Sequence, residues 1–101
     1  MSQASVTAAG GGELMLSGVV DYRTGPGLRE QGAALIKAST EAALTLDCSG
    51  VEKSSSVGLS LLLAFMRDAQ AAGKLLTVRA LPEDMQEIAK VSELTELLQH
   101  H

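Results

Sequence analysis

The apolar residues of this chain change period along its length, alternating two-residue repeats with helical ones, and that order restricts the folds open to it. From Glu13 to Val20, Leu14, Leu16 and Gly18 alternate with Met15, Ser17 and Val19, which predicts a strand. Ala42 to Cys48 repeats the pattern, with Leu44, Leu46 and Cys48 opposite Ala43, Thr45 and Asp47, and reads as the central strand. Lys74 to Leu81 predicts another, and Ala4 to Ala9 a short edge strand set off by the turn Gly10-Gly11-Gly12.

Helical segments lie between the later strands. One begins near Pro26, whose missing N–H suits a first turn, with Thr24 or Gly25 as its cap, and runs through Leu28, Gly32, Leu35 and Ile36 to Ser39. The longest spans Val57 to Ala72 and is closed by Gly73, suited to the left-handed position after a helix end. Pro82 opens a third through Met85, Ile88, Ala89 and Val91, and Leu94, Leu97 and Leu98 predict a further turn or two. The order implies an α/β fold, a mixed sheet of about four strands covered by about three to four helices, with parallel pairs joined by right-handed crossovers. At 101 residues this is one domain over 1–101, with the edge strand and glycine turn in 1–12 and a tail at 99–101.

Composition excludes several functions. Twelve acidic against eight basic residues, a net charge of -4, attract no polyanion, and Tyr22 and Phe65 are the only aromatics, so no stacking platform for nucleic acid exists. The most apolar run, Leu59 to Met66, is far below the roughly 20 residues that cross a bilayer, so membrane association is expected through a partner and not by direct insertion. A lone Cys48 and the lack of a leader-like start favour the reducing cytoplasm. The only histidines, His100 and His101, are terminal, which leaves no imidazole base for a serine triad and no ligand set for a metal. Gly50 to Ser54 lacks the GxxxxGK[ST] order of a phosphate loop, so no nucleotide or other cofactor is expected.

Chain direction places function in loops between strand ends and helix starts, here Asp21 to Gly25 and Glu52 to Ser56. Ser56 precedes Val57 and Gly58, so its hydroxyl is expected to accept from a first-turn N–H; on spacing alone, ordinary capping outweighs a binding role. Asp21, Tyr22, Arg23 and Thr24 supply polar contacts or simply form a solvated turn, the latter slightly favoured for each residue singly. Asp47 is expected to hold nearby loop N–H groups. Along the long helix, Leu59, Leu62, Leu63, Met66 and Ala69 form the expected core stripe, while Leu61 and Phe65 widen the apolar sector. Those two belong either to a partner-binding patch or under a neighbouring helix, with equal weight.

At these loops the sequence resembles the STAS family. The segment Leu16-Ser17-Gly18-Val19-Val20-Asp21-Tyr22-Arg23-Thr24, followed by Leu28, fits the family's strand, Asp, loop, Thr, helix pattern. Leu46-Asp47-Cys48-Ser49-Gly50-Val51, then Ser55-Ser56-Val57-Gly58-Leu59, fits the segment where the family reads Asp-Ser/Thr-x-Gly-Leu, with Ser55 in place of the Asp. With Gly73 and the strand after it, the likeness covers nearly the whole chain. Leu61-Leu62-Leu63, Arg67, Leu81-Pro82 and Ile88 to Ser92 look most like the Mla branch.

The resemblance implies a domain without catalysis that binds another protein through Asp21, Tyr22, Arg23, Thr24, Ser54, Ser55, Ser56, Val57 and Gly58, with Leu61 and Phe65 on the following helix. In the Mla branch the partner is the cytoplasmic ATPase of a phospholipid-trafficking ABC transporter that maintains outer-membrane lipid asymmetry. The permease is reached indirectly, and the subunit is peripheral to the inner membrane. The alternative is an anti-sigma-factor antagonist, in which phosphorylation of Ser56 controls capture of a kinase-like anti-sigma factor; the missing acidic residue at Ser55 counts against it. A direct ligand-binding domain is a third and weaker reading.

Overall fold

The computed structural model describes residues 4–91. Strands β1 (Ser5–Gly10), β2 (Glu13–Val20), β3 (Ala43–Ser54) and β4 (Leu75–Arg79) form one sheet in the order β1-β2-β3-β4. Helices α1 (Gly25–Ala38), α2 (Val57–Ala71) and α3 (Glu83–Val91) follow β2, β3 and β4. The β1–β2 pair is antiparallel and the β2–β3 and β3–β4 pairs are parallel, so the sheet is mixed, as the order of periods implies. The expected turns at 94–98 and the tail lie outside the described residues.

The alternation in β2 is seen directly, with Leu14, Leu16 and Val20 buried under the helices and Met15, Ser17 and Val19 on the other face. Leu44, Leu46 and Cys48 of β3 join them, and burial pushes the Cys48 thiol up to about 12, which makes it an inert filler and not a nucleophile. Gly10, Gly11 and Gly12 turn the β1–β2 hairpin with φ of 89°, 60° and 82°, backbone that other residues adopt only with strain. At the outer edge of β1, the Val6 N–H donates to Gln31 Oε1 on α1 at 3.0 Å. Lys74 Nζ reaches the carbonyls of Ile36 and Ser39, tying the approach to β4 to the last turn of α1.

Three expectations change. β3 does not end at Cys48 before a polar loop but continues to Ser54, because β2 continues beside it: Ser17 pairs with Gly50, Gly18 with Val51, Val19 with Lys53 and Val20 with Ser54, across two register shifts. Gly50 permits this, since a Cβ there would lie 2.9 Å from Ser17 Cβ. β4 is shorter than expected and stops at Arg79, where Ala80 turns the chain with φ of 58°. The inner face of α2 is also wider than the expected stripe: Leu59, Leu62 and Ala69 are buried as expected, Gly58, Leu61, Ala64 and Phe65 are buried with them, and Leu63 and Met66 are half-buried against the core. The reason is that α2 packs against α1 as well as the sheet, and the Phe65 ring occupies the space where Gly32 has no side chain. On the outward face of the sheet, Arg79 bridges Glu13 at 2.6 Å and Asp47 at 2.8 Å, joining β2, β3 and β4.

Candidate functional site

Because β2 and β3 are parallel, the turns that leave them emerge at one end of the sheet, and the Ser55 N–H donates to the Val20 carbonyl at 3.0 Å. The starts of α1 and α2 touch as a result. A Cβ at Gly25 would lie 3.0 Å from Val57 Cγ1, so the small residue sets how closely the two helices begin.

The turn after β2 is held by its own side chains. Asp21 Oδ1 accepts from the N–H of Arg23 at 2.9 Å and of Thr24 at 3.2 Å, and the Arg23 N–H chiefly holds the carboxyl below its ordinary range. Thr24 Oγ1 accepts from the Asp21 N–H at 3.0 Å and donates to the Val19 carbonyl at 2.9 Å. Thr24 is thus the residue before α1, as expected, but its hydroxyl closes the turn instead of capping the helix. Tyr22 is left 76% exposed, with the Arg23 guanidinium 5.8 Å from its ring centre.

In the second turn the expected cap passes to a neighbour. Ser55 Oγ accepts from the Val57 N–H at 3.2 Å, whereas the Ser56 side chain makes no capping bond. Ser56 has φ of -61° and ψ of -18°, already helical, and its carbonyl accepts from Leu59 at 3.2 Å; a capping side chain needs the extended backbone that this residue lacks. Ser54 Oγ donates to the Ser55 carbonyl at 2.9 Å. A Cβ on Gly58 would collide with Ser54 Oγ, so the end of β3 and the start of α2 approach through a glycine. Ser55 and Ser56 are exposed and Ser54 and Val57 half-buried.

The turn and the serine edge therefore lie side by side, while Leu61 and Phe65 do not join them as open contacts. Leu61 is 5% and Phe65 1% exposed, Phe65 beneath α1 and Leu61 at the floor of an open groove between the helix starts. That groove is also lined by Pro26, Arg29, Val57, Ser60 and Ala64. Reading of the sequence missed Pro26, Arg29 and Ser60; Ser60 falls one helical turn after Ser56, which was the available signal. Arg29 is fixed by paired bonds to Asp68 on α2, each 3.0 Å.

The first amides of α2 are already engaged, Val57 by Ser55 Oγ, Gly58 by the Ser55 carbonyl and Leu59 by the Ser56 carbonyl. What this edge offers is therefore exposed hydroxyls, an aromatic ring and a guanidinium, a set suited to gripping another protein. Asp47 holds the Ser49 N–H at 2.8 Å, but this is a strand N–H and not the loop N–H expected, because Asp47 lies in mid-strand opposite Met15, well back from Asp21. Arg79 and then Ser49 hold its carboxyl down at about 2. Among the described residues no cluster of His, Cys, Asp and Glu can hold a metal ion, and no helix is long and apolar enough to cross a membrane.

Known proteins share this architecture. A chain of the Acinetobacter MlaFEDB complex in an ATP-bound conformation superposes with a TM-score of 0.76 at 27% identity, over 87% of this chain and 92% of that one. An anti-sigma factor antagonist from Mycobacterium paratuberculosis gives a TM-score of 0.73 at 25% identity, over 97% and 83%. The unphosphorylated anti-sigma factor antagonist SpoIIAA shares the fold at 13% identity, with a TM-score of 0.64 over 86% and 81%. No curated protein sequence matches the chain. The family model described as "Mlab, STAS domain" matches residues 5–99, which takes in the sheet, its helices and both turns, and so the chain belongs to the STAS family.

Proposed function

We propose that this STAS domain is a non-catalytic subunit that binds the cytoplasmic ATPase of a phospholipid-trafficking ABC transporter, and stabilises or regulates it, through the serine edge. The observation that carries the reading is the exposed pair Ser55 and Ser56 at the start of α2, set beside the exposed Tyr22 and Arg23. The Mlab description of the matching family and the likeness to a chain of an ATP-bound MlaFEDB complex support the choice of partner. Tyr22, Arg23, Ser55, Ser56 and Val57 form the contact, with Pro26, Arg29 and Ser60 beside it. Asp21, Thr24, Ser54 and Gly58 shape it from within. The domain reaches the permease and the inner membrane through the ATPase, on the cytoplasmic side.

A binding role suits the bonding of the edge serines. Ser54 bonds a carbonyl and Ser55 an N–H, and among the described residues none of the edge serines is paired with a side-chain base. Copurification of the ATPase with tagged wild-type and Ser56→Asp chains tests the reading. A carboxylate at Ser56 meets the partner where the hydroxyl did, and capture should fall roughly tenfold or more with folding unchanged. Undiminished capture and transport by the variant would remove the serine edge from the contact.

A second reading is an anti-sigma-factor antagonist, favoured by the Mycobacterium paratuberculosis relative and by the exposed Ser56, whose hydroxyl is not used in capping. Ser55 in the place of the family's acidic residue weighs against it. Affinity capture from detergent-solubilised native membranes separates the two: an ABC ATPase with its permease supports transport, and a soluble kinase-like protein with phosphate on Ser56 supports the antagonist.

A further inference from the structure

Beneath the serine edge, α3 packs against the start of α2, with Met85 among its described side chains at the contact. Among the described side chains of α3, Glu83 to Glu87, only Met85 is buried, at 0% exposure. Its methyl fills the space beside Gly58: a Cβ on that glycine would lie 2.9 Å from Met85 Cε and 3.5 Å from Sδ. The same Cβ would strike Ser54 Oγ, so the tip of Met85 and the end of β3 bracket the Gly58 backbone. The helix itself packs against α2 and β3, the two elements that meet at the serines.

We infer that Met85 is a positioning residue for the serine edge: by seating on Gly58 it couples the docking of α3 to the placement of Ser55, Ser56 and Val57. A long, flexible side chain without β-branching suits this role, because it follows the contour of a glycine backbone where a β-branched one, stiff at χ1, would not. Gly58 is the complementary half, since any side chain there forces Met85 or Ser54 to move. The consequence for binding rests on the function proposed above; the coupling itself does not.

A double-mutant cycle with amide spectra tests it. Gly58→Ala should destabilise the chain and shift the amides of Ser54 to Leu59. Met85→Ala should shift the same amides while leaving Asp68 to Ala71, at the far end of α2, in place. Together they should destabilise by less than the sum of the single changes, because removing the thioether makes room for the new methyl. Met85→Leu should restore the wild-type spectrum at the edge and keep capture of the ATPase within about threefold, against a loss of about tenfold for Met85→Ala. Strict additivity, or edge amides that ignore Met85→Ala, would overturn the inference whether or not the ATPase is the partner. Coupled amides with no ATPase captured by any chain, wild type included, would keep the positioning role and overturn only the proposed partner.

Discussion

The turn Asp21 to Thr24 and the edge Ser54 to Ser56 lie side by side, yet they keep their shapes by different means. The first is closed by bonds within itself, from Asp21 to the next N–H groups and from Thr24 to both sides of the turn. The second has local bonds at Ser54 and Ser55 but is also placed from elsewhere, by the Val20 carbonyl, by the glycine that brings α2 against β3, and by the packing of α2 on α1. A self-closed turn holds its form wherever its residues occur together, whereas a packed edge moves when its support moves. The contrast predicts that the turn carrying Tyr22 and Arg23 answers less to distant core changes than the edge carrying Ser55 and Ser56.

The largest effect expected from this difference comes from Phe65→Ala, which removes the ring lodged over Gly32. It should destabilise by about 3–5 kcal/mol in denaturant unfolding. In the folded fraction, amide shifts at Ser54 to Gly58 should exceed those at Asp21 to Thr24; equal shifts would break the comparison. Thr24→Val should act in reverse, costing about 1–3 kcal/mol through the unpaired Asp21 N–H and Val19 carbonyl, with its shifts confined to the first turn.

Smaller changes sharpen the assignment of the serines. Ser55→Ala should cost about 1 kcal/mol as a lost cap. Ser56→Ala should stay within about 0.5 kcal/mol in thermal unfolding. The reverse order would return the cap to Ser56. The slightest effect is acid loosening of the first turn. The Asp21 carboxyl titrates below its ordinary 3.8 in the folded chain, so its contribution is complete above that value and lost as pH falls through the folded one. Acid titration by NMR should move the Arg23 and Thr24 amides before those of Val57 and Gly58, and Asp21→Asn should abolish that early movement.

Much of the fold was legible because it depends on local pattern. The alternation of β2, Pro26 in the first turn of α1 and Gly73 after α2 each carry their reason within a few residues. What was not legible depends on distant partners. Ser49 to Ser54 has no apolar alternation, and it is strand because β2 runs beside it. The inner face of α2 carries Leu59, Leu62 and Ala69 as its stripe predicts, and it extends to Phe65 because Gly32, far away in sequence, makes room for the ring. The two turns of the site were readable from topology, and the transfer of the cap from Ser56 to Ser55 was not, since it is decided by backbone angles.

The bond between Gln31 and Val6 bears on how this small domain behaves in a crowded solution. A sheet flank with free donors invites the strands of other molecules, and copies of one chain then stack edge to edge. Here the amide of a buried strand residue is already engaged by a long side chain from the overlying helix, so an incoming strand must first displace that glutamine. Replacing it with an aliphatic residue should cost about 1–3 kcal/mol through the unpaired Val6 N–H and open that flank to self-association.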